Sequence, residues 1–225
     1  MEIFKFGETQ LKLPIHGFSF KPSSTTGKKA HVLIIGGVHG DEPEGVAAAR
    51  GLLEVFRQKY DHDLFITLVP EFNPEGVLLK ERVNSNKVDL NRNLPTKDWT
   101  PVAAKERYNP GPSALSEKEN QALVKFIKEN KVDLIISLHS WNPMLNINGD
   151  VPEAKAIAEL TGYSIEPDIG YPTPGSLGTW AGFENGIPTL TYEIQRDITF
   201  DQCIDIHVPA IIAGLRETAR IRNTP

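Results

Sequence analysis

The apolar and polar positions of this chain alternate between two rhythms. After a strand-like N-terminal stretch comes a polar turn at 21–29, KPSSTTGKK, too short to link domains. HVLIIGG follows, a continuous apolar run ending in glycine, which predicts a strand buried on both faces. From Pro43 the period lengthens: Val46, Ala47, Leu52, Leu53, Val55 and Phe56 recur at helical spacing. Pro43 suits the first turn, where its missing N–H costs little. LFITLVP at 64–70 predicts a second strand, and DLIISLH, ending at His139, a third. Between them, from Glu71 to about Ser113, the chain is rich in Asn, Pro and Gly. Irregular segments of that length in a compact chain usually serve function. Ser116 and Glu119 have capping-box spacing, ahead of an apolar helix face formed by Leu123, Phe126 and Ile127. A short helix at 152–161, a strand PTLTYEI ending near Glu193, and an amphipathic helix from Phe200 to Ile221 complete the pattern. Pro209 is expected to kink or divide that last helix.

Strands alternating with helices predict an α/β fold, one domain over 1–225, with a mixed, mostly parallel central sheet flanked by helices. The chain has 225 residues, a size that buries one sizeable core. It is 40% hydrophobic and 24% charged, with net charge −5. That balance offers no electrostatic reason to bind nucleic acid or anionic membrane. No apolar run is long enough for a bilayer span, and no secretory signal is visible. Cys203 is the only cysteine. A reduced, cytoplasmic setting is expected, with Cys203 as a packing residue.

In open α/β sheets, sites form beyond the carboxyl ends of strands. His39, His139 and Glu193 each fall at or just past such an end. His39-Gly40-Asp41-Glu42 sets an imidazole and a carboxylate three positions apart on a strand-to-helix turn, where both can reach one ion. A catalytic zinc takes three protein ligands and an open position, and His39, Glu42 and His139 would supply them. Taken alone, H-x-x-E is most often a pair of surface polar residues, and a histidine after a buried strand is often a hydrogen-bonded rim residue. Their joint placement at strand ends favours the metal. Asp41 is expected to orient a ligand imidazole or to hold the turn. Glu44 and Glu71 are read as solvated, and His16, His31, His62 and His207 as structural or exposed.

GGVHGDEPEG, NPEG at 73–76, VDLNRNLP at 88–95, SLHS, YPTPGSLGTW at 171–180 and TYEIQ stand in an order that resembles the zinc metallocarboxypeptidase family, from about His31 to Arg196. The resemblance implies one zinc per chain on His39, Glu42 and His139, with Glu193 as general base. It implies that Arg82 polarises the scissile carbonyl and that Asn91 and Arg92 grip a terminal carboxylate. Tyr171 matches the tyrosine that closes over substrate. VDLNRNLP followed by DW, and GYPTPGSLGTW, are similar to the compact branch that includes murein peptide amidases, which cut the γ-D-glutamyl–diaminopimelate amide. Ser140 departs from that branch, which carries an acidic residue after the histidine. This leaves side-chain specificity open.

The expected partner is a small peptide with a free carboxylate. Two alternatives stand beside it. One is a desuccinylase or aspartoacylase-like deacylase of N-acyl amino acids, which shares the metal set and the base. The other is a non-catalytic binding module, against which an intact Glu193 argues. Oligomeric state is not legible in the sequence.

Overall fold

A computed structural model describes residues 1–22, 24 and 26–223. All its strands join one eight-stranded sheet: β1 (Glu2–Glu8), β2 (Pro14–Phe20), β3 (His31–Gly36), β4 (Phe65–Val69), β5 (Leu134–Trp141), β6 (Met144–Asn148), β7 (Ser164–Glu166) and β8 (Thr189–Gln195). Their order is β1-β2-β4-β3-β5-β8-β6-β7. The central neighbours β4, β3, β5 and β8 run parallel. Antiparallel strands flank them, β2 beside β4 and β6 beside β8. The helices are α1 (Pro43–Gln58), α2 (Pro74–Leu79), α3 (Lys118–Glu129), α4 (Ala154–Thr161) and α5 (Phe200–Arg222). The α/β class with a mixed, mostly parallel sheet is therefore as the sequence predicted.

Period-two alternation divides the core. Val32, Ile34, Ile136, Leu138, Tyr192 and Ile194 face one apolar layer, which they share with Leu52 of α1 and Ile211 of α5. Leu33, Ile35 and Ile135 face the other, with Leu123 of α3 and Trp180. On that second face β5 and β8 turn polar towards their carboxyl ends, through Ser137 and His139 on one and Thr191 and Glu193 on the other. The register pairs His139 with Glu193 directly. The alternation that buries Leu138 and Tyr192 on one side thus delivers an imidazole and a carboxylate side by side on the other.

Three local expectations are corrected. Helix α5 runs through Pro209 as one element, its start fixed by a capping box between Thr199 and Gln202. Val208, Ala210 and Ile211 are buried around the proline, and their packing outweighs the ~3 kcal/mol that an interior proline costs. The Ser116–Glu119 capping box does not form. Helix α3 starts at Lys118 without a side-chain cap, because Ser116 donates instead to Glu117 and Glu119 is drawn into the interior. The irregular stretch 71–113 also contains α2 and two short 3-10 turns, Leu90–Arg92 and Glu106–Tyr108.

Glu119 makes a measurable signature. Burial pushes its carboxyl up to about 7, and Glu117 and Glu75 add to the rise while Asn84 opposes it. The folded state then holds this proton above the ordinary value. The stability so gained is present below about pH 4.5 and is lost as pH rises to about 7. Glu119→Gln should remove that loss. Relative to the variant, wild type should lose up to about 3 kcal/mol across this window. Urea unfolding at pH 5 and pH 8 measures it, and parallel curves would refute the assignment.

Candidate active site

His39 follows β3 on a tight turn, and Glu42 is the residue just before helix α1. Two close approaches explain why this segment sits where it does. A Cβ on Gly40 would lie 1.9 Å from the backbone of Gly76, so only glycine lets the turn rest on α2. A Cβ on Gly45 would lie 2.5 Å from the Leu138 carbonyl, so glycine lets α1 press against β5. Glu42 is thereby brought to His139, 97 residues further along the chain.

Nδ1 of His39 lies 3.0 Å from Glu42 Oε1, and Nδ1 of His139 lies 2.8 Å from Glu42 Oε2. The two Nδ1 atoms are 3.1 Å apart. All three residues are buried. Theirs is the single histidine–carboxylate group among the described residues whose donor atoms converge, within 4.8 Å of one another, as a metal requires.

Donor chemistry supports that fit. Nε2 of His39 lies 2.9 Å from Asp89 Oδ1. Burial opposes ionisation of Asp89, but the nearby His39 and Arg82 charges outweigh it and hold the carboxyl below its ordinary range. An ionised Asp89 can only accept, so Nε2 of His39 carries a proton. Unless Nδ1 carries a second proton, it presents a lone pair to Glu42 Oε1, an acceptor facing an acceptor. Only a positive charge between them, proton or metal, reconciles this contact. Burial also penalises the Glu42 carboxylate, yet both imidazoles hold it well below its ordinary value.

Asp89, not Asp41, therefore orients the imidazole. Asp41 instead gathers Arg107 at 3.2 Å and Arg196 at 3.7 Å at the mouth of the site. Glu44 is likewise not solvated. It is buried, accepting from the Ser140 hydroxyl at 2.6 Å and the Asp197 amide at 2.8 Å, which ties the ends of β5 and β8 together. Glu71 is partly exposed and accepts from Arg50. Cys203 is buried, and burial pushes its thiol up to about 12, as suits a packing residue. His207, also buried, shares a hydrogen bond with the Tyr192 hydroxyl at 2.6 Å.

Glu193 stands beside His139 with its Oε2 buried and without a hydrogen-bond partner among the described residues. Burial chiefly, with help from Glu42, pushes its carboxyl up to about 7 against the pull of His139 and Arg82. That is the range in which a carboxylate exchanges protons readily at neutral pH. Arg82 reaches both Glu42 Oε1, at 3.2 Å, and Asp89 Oδ2, at 2.9 Å.

A cavity of about 210 Å³ opens over these groups, lined also by Asn91, Arg92, Tyr108 and Tyr171. Asn91 accepts from the Leu177 amide, which fixes its side chain. Arg92 is buried, yet no carboxylate among the described residues lies within ion-pair distance of it. Its guanidinium lies 5.2 Å from the centre of the Tyr108 ring, and Arg82 and Arg107 also lie against that ring. Tyr171 is part-exposed and packs edge-on against Trp141. All eight site residues singled out in the sequence thus line or border one cavity.

Comparison with known proteins agrees with this geometry. Residues 1–161 match the family model described as zinc carboxypeptidase. The chain belongs to the zinc carboxypeptidase family. The match includes His39, Glu42, Arg82, Asn91, Arg92 and His139, while Tyr171 and Glu193 lie beyond it. Among individual zinc carboxypeptidase relatives, murein peptide amidase A of Vibrio campbellii is 29% identical, with 94% of this chain and 86% of the relative covered. The crystal structure of murein-tripeptide amidase from Escherichia coli O157 superposes with a TM-score of 0.77 at 24% identity, covering 95% of this chain and 91% of that one. Bovine thrombin-activatable fibrinolysis inhibitor, in complex with tick carboxypeptidase inhibitor, gives a TM-score of 0.79 at 18% identity over 97% of this chain and 89% of that one. These structural likenesses establish the zinc carboxypeptidase fold.

Sequence reasoning missed Asp89, Arg107, Tyr108, Trp141 and Arg196. Asp89 lay within the DLNRN segment and was available to it. Tyr108 and Arg107 carry no local signal, since they stand in an irregular loop that only folding brings over the cavity.

Proposed function

We propose that this protein is a zinc-dependent amidase that hydrolyses the γ-D-glutamyl–diaminopimelate amide of murein peptides. The observation that carries the reading is Arg92, a buried guanidinium with no carboxylate partner among the described residues, in one cavity with the His39–Glu42–His139 cluster and Glu193. A planar cation so placed is suited to a substrate carboxylate. The Vibrio campbellii relative, named murein peptide amidase A, supports the choice of peptide.

In this proposal His39, Glu42 and His139 hold one zinc ion per chain, which supplies Lewis acidity to the water and to the scissile carbonyl. Asp89 holds His39 in the tautomer that frees Nδ1. Glu193 takes a proton from the attacking water and returns it to the leaving amine. Arg82 offers positive charge to the developing oxyanion. Asn91 and Arg92 hold the carboxylate of the leaving residue, and Tyr171 closes the cavity mouth. One water and one amide give one carboxylic acid and one amine. No helix among the described residues is long and apolar enough to cross a membrane. Soluble muropeptides recycled in the cytoplasm are the substrate pool we assign, in keeping with a single, buried cysteine.

Mass spectrometry of products from a panel tests the reading. Murein tripeptide should release diaminopimelate, while N-acetyl-aspartate and N-succinyl-glutamate stay intact. The reverse result would make the protein a deacylase, and no turnover by zinc-replete protein would make it a binding module. Arg92→Ala should lower kcat/KM by about 10²–10⁴-fold, since stranding a buried charge costs about 3–5 kcal/mol. The loss should fall on the free acid and spare the same peptide amidated at the leaving carboxylate. Equal rates for acid and amide in the wild type would remove the carboxylate clamp.

A further inference from the structure

Four arginines line the cavity, Arg82, Arg92, Arg107 and Arg196, against two glutamates, Glu42 and Glu193. The chain as a whole carries −5. Asp89 and Asp41 pair with Arg82, Arg107 and Arg196 behind that lining, and Arg92 alone of the four has no carboxylate at ion-pair distance among the described residues. Arg82 is engaged by Glu42 and Asp89, and Arg92 serves the leaving-side carboxylate, which leaves Arg107, exposed beside Asp41, and Arg196. One terminal nitrogen of Arg196 donates to the Asp41 carbonyl at 2.9 Å and stands 3.9 Å from Glu42 Oε1. Its Nε–H is buried and has no acceptor among the described residues. A guanidinium that lines a cavity, is anchored at one nitrogen and has a second N–H unsatisfied is preorganised for a further acceptor.

Position shows which half of a substrate it meets. Thr191, Glu193 and Arg196 run in that order along β8 and out past its end. Thr191 lies opposite Asn146 in the sheet at the inner end, and Arg196 follows the strand's last residue. Burial follows the same direction: Arg92 is 5% exposed, whereas the Arg196 side chain is 34% exposed. If the leaving carboxylate sits on the more buried Arg92, the acyl half would run toward the more exposed end of the cavity, where Arg196 stands.

We propose that Arg196 is a specificity-determining residue that binds a carboxylate on the acyl half of the substrate, adjacent to the scissile amide. The inference rests on the amidase reading above. In a γ-linked glutamyl amide this group is the free α-carboxylate. An acyl residue with an uncharged side chain has no carboxylate there, whereas an α-linked glutamyl residue offers its γ-carboxylate at the same number of bonds. Arg196 would thus select an anionic acyl residue, while Arg92 selects the free carboxylate of the leaving residue. Arg107, joined to Arg196 through Asp41 Oδ2, extends the positive charge to the mouth.

The test compares γ-D-glutamyl-diaminopimelate with the same dipeptide carrying the glutamyl α-carboxylate as a primary amide. Wild type, Arg196→Ala and Arg196→Lys are assayed on both, with zinc content measured for each. Wild type should prefer the acid. Arg196→Ala should lose about 10- to 100-fold in kcat/KM on the acid, mainly through KM, with little change on the amide and full zinc content. Arg196→Lys keeps the charge without the planar fork and should lose part of the preference. It also serves if the alanine variant does not fold. Equal losses on both substrates, or loss of zinc, would show that Arg196 only holds the Asp41 turn, and would overturn the proposal with the amidase reading intact. If wild type cut neither dipeptide and turned over N-acyl amino acids, the amidase reading itself would fall.

Discussion

Glu193→Gln is expected to reduce kcat by about 10²–10⁴-fold, the usual contribution of a general base, while zinc content and KM stay near wild type. Glutamine matches the shape of the side chain but accepts no proton at neutral pH. The expectation follows from two structural facts. The register of β5 and β8 sets Glu193 directly beside His139, and its buried Oε2 has no hydrogen-bond partner among the described residues. A buried carboxylate without a partner destabilises the fold unless it is used, so the variant should be at least as stable as wild type. Initial rates, elemental analysis and a thermal melt together decide the matter. Turnover close to wild type would move the base elsewhere, and a loss of zinc would show that Glu193 supports the metal instead.

His39→Ala and His139→Ala should each abolish activity and reduce zinc to a trace, because a three-ligand site with one ligand removed leaves two donors. Metal binding and folding are linked. In wild type, free zinc at about 1,000 times its Kd should stabilise the fold by about 4 kcal/mol, and both variants should melt at a temperature independent of zinc. Asp89→Asn is the graded case. It keeps all three ligands but weakens the acceptor on His39 Nε2, 2.9 Å away, and should cost about 10–100-fold in zinc affinity. Full zinc occupancy in a His39, Glu42 and His139 triple alanine variant would refute the site outright.

The sequence alone determined the scaffold and its chemical endowment. Long apolar runs marked the central strands as buried on both faces, since such segments have little other place to go in water. The local spacing of His39 and Glu42 and the strand-end positions of His139 and Glu193 marked them as candidate site residues, because a strand end and a three-residue step are short-range features, while the base role proposed for Glu193 came with the family resemblance. Tertiary structure decided which polar groups serve the site and which serve the frame. Asp41 and Asp89 are alike as residues. Asp89 orients His39 across 50 positions of chain, and Asp41 gathers Arg196 across 155. Glu44 reads as a solvated helix residue, yet it is buried by contacts with Ser140, 96 positions away, and Asp197, 153 away. Glu119 stands where a capping box invites it and turns inward to Asn84 instead. In each case burial and the identity of the partner set the side chain's role. Both depend on segments remote in sequence meeting in space, which no local period or spacing encodes.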